Sequence, residues 1–127
     1  MKLLLDTHAF LWMLQAPEKL STQVAQAHND PANTLWVSMA SLWEIQIKHT
    51  LGKLELDIPL EQIVREQLQG NFALLDIRAA HVLALNELPR HHGDPFDRMM
   101  IAQARTEGLP LVSADHVFEQ YPVEIFW

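Results

Sequence analysis

Met1-Lys2-Leu3-Leu4-Leu5-Asp6-Thr7-His8 is the stretch whose reading decides the fold. Leu3 to Leu5 form a continuous apolar run with no polar alternation. A run of that kind suits a strand buried on both faces, as in a parallel sheet covered by helices. It stops at Asp6, and Ala9-Phe10-Leu11-Trp12-Met13-Leu14 then reads as an apolar helix. Asp6 is therefore expected where a central strand gives way to a helix. In open α/β sheets, ligands bind outside the carboxyl ends of the strands. Taken alone, Asp6 is better explained as a helix cap, accepting from the free N–H groups of the first turn. The balance between these readings depends on whether other acids recur at similar places.

Working outward, the chain alternates strand and helix. Helix one ends before Pro17, and Ser21 caps a second helix from Thr22 to about His28. Thr34 to Val37 is a β-branched and aromatic strand. Ser38 opens a helix to about Leu51, with Gly52 as its stop. Leu60 to Gln69 has helical spacing, and Gly70 ends it. Phe72 to Leu75 is a third strand, and Arg78 to about Leu85 a short helix. Leu88 to Gly93 is a loop rich in Pro, His and Gly. Asp94-Pro95 starts a helix that runs to Glu107 and stops at Gly108, with proline at the favoured first position. Leu109 to Val112 is a fourth strand, and Val123 to Phe126 a last, edge strand. The pattern predicts one α/β domain over residues 1–127, a three-layer α/β/α arrangement around a mainly parallel sheet.

Composition narrows the function classes. The chain has 127 residues, ordinary hydrophobic and charged fractions, no cysteine and a formal net charge of −7. No thiolate metal site or disulfide is open to it, and a cytoplasmic location is expected. No apolar stretch approaches the roughly 20 residues of a membrane helix, and Asp6 and His8 interrupt the N-terminal apolar segment. An acidic chain does not bind nucleic acid indiscriminately, because non-specific affinity comes from neutralising phosphates. Either the surface is acidic without an anionic partner, or several acids are gathered at one place and neutralised by a cation.

The acids separate when taken singly. Glu44 lies in Ser41-Leu42-Trp43-Glu44, with capping-box spacing, and four residues before Lys48, with ion-pair spacing. Ile47 and Leu51 fall on its side of the helix, so it can also point inward. Asp97 shares a face with Met100, Ile101 and Ala104 (i+3, i+4, i+7). A carboxylate on an apolar face is costly unless paired or bound to metal. The alternative is a first-turn acid favoured by the helix dipole. Asp94, preceding Pro95, reads as the cap itself. Asp115 follows the fourth strand much as Asp6 follows the first, and a cap for Val117 to Gln120 would also explain it. Parallel strands bring Asp6 and Asp115 to one edge of the sheet. Carboxylates gathered there raise one another's pKa. A hard divalent cation relieves that conflict, and oxygen-only ligands suit Mg2+ or Mn2+. Such a cation points to hydrolysis of a phosphate ester.

Leu5-Asp6-Thr7-His8, Val37 to Ile45, Asp94 to Ala104 and Leu111 to Asp115 resemble, in order and over the whole chain, the successive motifs of PIN-domain proteins. More narrowly, they resemble the toxin ribonucleases of bacterial VapBC-type toxin–antitoxin pairs. The resemblance implies that Asp6, Glu44, Asp97 and Asp115 hold Mg2+ or Mn2+ and carry catalysis. It also implies cleavage of single-stranded or structured RNA to a 5′-phosphate and a 3′-hydroxyl, a cognate antitoxin and a homodimer. Two rivals stand beside it. A haloacid-dehalogenase-like phosphatase or a receiver domain would use Asp6 as nucleophile or phosphoacceptor, but the phosphatase expects a second Asp where His8 stands. A non-catalytic binding module would have purely structural acids. His91 and His92 are adjacent and read as an exposed loop, while Trp12, Trp36, Trp43 and Phe96 read as core. His8 reads as packing on its helix or touching substrate. Thr7 and Ser113 read as caps or as groups that orient a carboxylate. Lys48, Arg90 and Arg98 read as solvated, with RNA phosphates as the alternative.

Overall fold

The computed structural model describes residues 1–127. Strand β1 (Lys2–Leu5) lies at the centre of a five-stranded sheet, paired with β2 (Thr34–Ser38) on one side and β4 (Leu111–Val112) on the other. β3 (Phe72–Leu75) extends the sheet beyond β2, and β5 (Ile125–Phe126) beyond β4. The order is β3-β2-β1-β4-β5 with every pairing parallel, so β5 is indeed an edge strand.

The apolar run behaves as a doubly covered strand must. Leu3, Leu4 and Leu5 are fully buried, and they alternate between two cores. Leu3 and Leu5 pack with Leu35, Val37, Phe10, Val24 and Ile45. Leu4 packs on the opposite face with Leu111, Met100, Ile101 and Phe118. Helices α1 (Thr7–Gln15), α2 (Thr22–Asn29) and α3 (Met39–Thr50) supply the first core. After the short turn α4 (Leu60–Gln62), helices α5 (Ala79–Ala84) and α6 (Pro95–Glu107) lie over the second. The helix starts follow local chemistry: Ser21, Ser38 and Asp94 each accept a backbone N–H of the turn they open. Gly108 ends α6 at φ +66°, a left-handed conformation that glycine adopts without a Cβ penalty. No helix is long and apolar enough to cross a membrane.

Three expected elements differ. The segment expected as a helix from Leu60 to Gln69 is one α turn followed by a π turn, Ile63–Gln67, closed by Leu68 N–H donating to Ile63 O at 3.2 Å. Ile63 is buried but Val64 is exposed, so the apparent apolar stripe does not face the core as a unit. β4 is two residues rather than four, because Pro110 has no N–H to offer the ladder and only accepts, from Leu4 N–H at 2.9 Å. β5 is likewise confined to Ile125–Phe126.

A single buried amide registers α6 against the sheet. Gln103 is fully buried; its Oε1 accepts from the Ser38 hydroxyl at 2.6 Å, and its Nε2 donates to Asp76 O at 3.3 Å. It thus ties the carboxyl ends of β2 and β3 to the helix that carries Asp97. Gln103→Leu fills similar space but strands both partners, and it should cost about 1–3 kcal/mol. Urea unfolding of the two proteins in chelator measures the difference.

Candidate active site

The strand order reverses between β1 and β4, since β2 and β3 lie to one side and β5 to the other. Such a switch point opens a crevice at the carboxyl ends of the strands. Asp6 and Asp115 flank it. Asp6 follows β1, and its N–H donates to Val112 O at 3.0 Å. Its Oδ1 accepts from Ala9 N–H at 2.7 Å, and Asp115 Oδ1 accepts from Val117 N–H at 3.0 Å. Both acids therefore cap, and both also sit at the crevice; a cap bond occupies one oxygen and leaves the other. Asp6 is buried while Asp115 stands at the exposed rim.

Glu44 comes in from α3. Its capping-box alternative falls away, because α3 begins at Met39 with Ser38 as the cap. Glu44 is only 3% exposed, although Leu51 on its side of the helix is exposed. Glu44 Oε1 accepts from the Thr7 hydroxyl at 2.6 Å, and Oε2 accepts from Lys48 Nζ. Thr7 therefore orients a site carboxylate as well as opening α1. Asp97 comes in from α6, and the face it shares with Met100, Ile101 and Ala104 is the buried one. Asp94 is the cap, its Oδ1 accepting from Phe96 and Asp97 N–H at 2.9 and 3.0 Å.

These carboxylates are held at an electrostatic cost. Burial raises the Asp6 pKa, opposed by the Ser113 hydroxyl and Ala9 N–H and reinforced by the charge of Asp115. Burial also pushes Asp97 up to about 6, and Asp94 and Glu44 add to the rise. Lys48 is the compensating cation: its pKa is raised first by the hydrogen bond to Glu44, with Asp94 and Asp97 contributing. It is thus an ion-paired residue of the site rather than part of a plain solvated face. Four elements bring Asp6, Glu44, Asp97 and Asp115 into two coupled groups, Asp6 with Asp115 and Glu44 with Asp97.

The PIN domain family model matches residues 3–124. The chain belongs to the PIN-domain family. Within that family it is 30% identical to Ribonuclease VapC22 of Mycobacterium tuberculosis over 113 residues, 88% of this chain and 85% of the relative. Its fold is similar to VapBC2 from Rickettsia felis, solved bound to a DNA fragment from the promoter. The TM-score is 0.72 at 17% identity, covering 99% of this chain and 98% of that one. It is also similar to a toxin–antitoxin complex from Klebsiella pneumoniae, with a TM-score of 0.63 at 18% identity and coverage of 98% and 96%. Its strand order also differs from the 2-1-3-4-5 order of receiver domains.

No three acidic or histidine side chains of this PIN domain stand close enough together to hold a metal ion among them. The donor set is all oxygen and charge-frustrated, which is the chemistry a hard divalent cation relieves.

Two readings of single residues need correction. Trp43 is 61% exposed rather than core, and it meets Phe96 edge-on at 5.3 Å between ring centroids. His92 is not an exposed loop residue: its Nε2 lies 3.2 Å from Asp97 Oδ2 and its Nδ1 2.7 Å from the Tyr121 hydroxyl. Nothing in the local spacing signals this, because Tyr121 arrives from the far end of the chain. His8 is exposed and packs against Trp12, with 5.9 Å between ring centroids.

The raised Asp97 pKa carries a pH dependence. The folded protein holds this proton more tightly than the unfolded chain, so the metal-free fold is favoured at low pH. That advantage is present below the unfolded value of 3.8 and is lost as pH rises to about 6. Asp97→Asn should therefore be as stable as wild type, or more stable, above pH 6. The gain is on the order of 1.4 kcal/mol per pKa unit removed, and it should shrink toward the unfolded pKa. Urea unfolding in EDTA at several pH values checks this; a variant less stable at neutral pH would mark Asp97 as a helix-terminus acid only.

Proposed function

We propose that this PIN-domain protein is a metal-dependent endoribonuclease acting as the toxin of a toxin–antitoxin pair. The observation that carries the reading is the pairing of like-charged carboxylates, Asp6 with Asp115 after β1 and β4 and Asp97 with Glu44 on α6 and α3. Asp6 and Asp97 among them are pushed up in pKa by burial and like charge. Further support comes from the ribonuclease name of the 30%-identical relative and from the structural neighbour described as a toxin–antitoxin complex.

Asp6, Glu44, Asp97 and Asp115 would hold Mg2+ or Mn2+. When bound, such an ion supplies a positive charge that acidifies a water and stabilises charge on the phosphodiester oxygens. The chain's own groups prepare the site. Ala9 N–H fixes one oxygen of Asp6, and the Thr7 hydroxyl fixes one oxygen of Glu44. Lys48, partly open to solvent beside Glu44, is available to a backbone phosphate. With a net charge of −7 the surface gives RNA little indiscriminate attraction, so RNA binding depends on the local cation.

The proposed partner is a cognate antitoxin. Beside the acids lies an apolar pocket of about 180 Å3 lined by Ala40, Trp43, Ile77, Leu85, Phe96 and Met99. Trp43 and Phe96 are the chain neighbours of Glu44 and Asp97. An apolar antitoxin helix in this pocket would bring a basic residue to the carboxylates and block them. Val82 and Leu83 on α5 are exposed and would offer apolar surface to a homodimer; sedimentation equilibrium tests that state.

RNA cleavage should stop in EDTA, return with Mg2+ or Mn2+, and leave 5′-phosphate ends that ligate without kinase treatment. Cleavage that persists in chelator and leaves 2′,3′-cyclic ends would replace this reading with histidine acid–base chemistry. Trp43→Ala should weaken the complex with the flanking gene's product by about 2 kcal/mol or more, the magnitude expected of a buried tryptophan anchor. Isothermal titration measures it, and an unchanged affinity would place the antitoxin elsewhere.

A further inference from the structure

His92 is held from three directions. Its loop is pinned to α6, where Arg98 donates to Pro89 O at 2.9 Å, and Leu88 beneath it is buried. The Tyr121 hydroxyl accepts from His92 backbone N–H at 3.2 Å and from Arg98 at 3.4 Å. With both acceptor positions taken, the single hydroxyl proton of Tyr121 has one remaining partner, His92 Nδ1 at 2.7 Å. In that arrangement the ring's own proton belongs on Nε2, which lies 3.2 Å from Asp97 Oδ2. Tyr121 is 4% exposed and closes the 3-10 turn His116–Gln120, the turn that Asp115 caps. The chain of bonds Tyr121 to His92 to Asp97 thus couples the Asp115 turn to the acid on α6.

We propose that His92 is a positioning residue: in the tautomer fixed by Tyr121, it holds Asp97 by Oδ2 and so orients the carboxylate that would hold the divalent cation. The inference rests on the metal reading given above. A histidine that merely pins its loop would alter stability without altering cation affinity. A histidine that orients a ligand carboxylate alters affinity, typically by about 10–100-fold when such a partner is removed.

The test uses the full chain and Mn2+ as the probe. Nitrogen-15 NMR of the histidine rings in wild type should show His92 as the Nε2–H tautomer, and Tyr121→Phe should release it into a mixture. Mn2+ affinity, followed by water-proton relaxation, should fall about 10–100-fold in His92→Ala. His92→Gln, whose amide nitrogen can still donate to Asp97, should recover part of the loss. Tyr121→Phe, which keeps the ring packing, should show a smaller loss. An Nδ1–H tautomer in wild type, or variants with wild-type Mn2+ affinity, would overturn the positioning role alone. A wild type that binds no Mn2+ would overturn the metal reading and this inference with it.

Discussion

The parallel pairing of β1 between β2 and β4 sets the terms for everything else in this protein. It buries Leu3, Leu4 and Leu5 on both faces and delivers Asp6 to the edge where β4 delivers the turn to Asp115. A carboxylate at that position loses water and gains a like-charged neighbour, and both effects oppose its ionisation. The hydrogen bonds are complete: no buried side-chain nitrogen or oxygen lacks a partner. What remains unbalanced is charge. Lys48 offsets part of it at Glu44 and leaves a deficit of positive charge at the crevice.

The two helices that complete the site are placed by different means. α3 starts directly from β2 at the Ser38 cap, so Glu44 is carried inward by the helix's own geometry, and Thr7 meets it across the crevice. α6 has no strand immediately before it, and its position depends on packing and on the buried Gln103 amide bridging Ser38 and Asp76. The same placement brings Trp43 and Phe96 together beside the acids. The apolar pocket and the charged crevice are thus neighbouring products of one helix crossing, which lets one partner reach both.

Much of this was legible in the sequence because the signals were local. An unbroken apolar run announces a doubly covered strand, and Ser or Asp before an apolar period announces a cap. The Asp97 face was readable from its spacing to Met100, Ile101 and Ala104, and the four motifs carried the PIN-domain resemblance. What escaped were features set by contacts distant along the chain. His92 is defined by Tyr121, 29 residues away. Trp43 looks like core by type, yet it stands on the outer side of α3 and covers a pocket rather than filling one. The π turn at Ile63–Gln67 has helical composition, yet Val64 within it is exposed while Leu60, Ile63 and Leu68 meet the core.

The central claim is that Asp6, Glu44, Asp97 and Asp115 act as one cation site rather than as four separate helix acids. Anomalous diffraction from crystals equilibrated with Mn2+ tests it most directly. The account predicts a manganese peak in the crevice between the carboxyl ends of β1 and β4, with carboxylate oxygens of this set and waters around it. A crevice without a peak, or a peak held only by surface histidines such as His91 or His116, would contradict it.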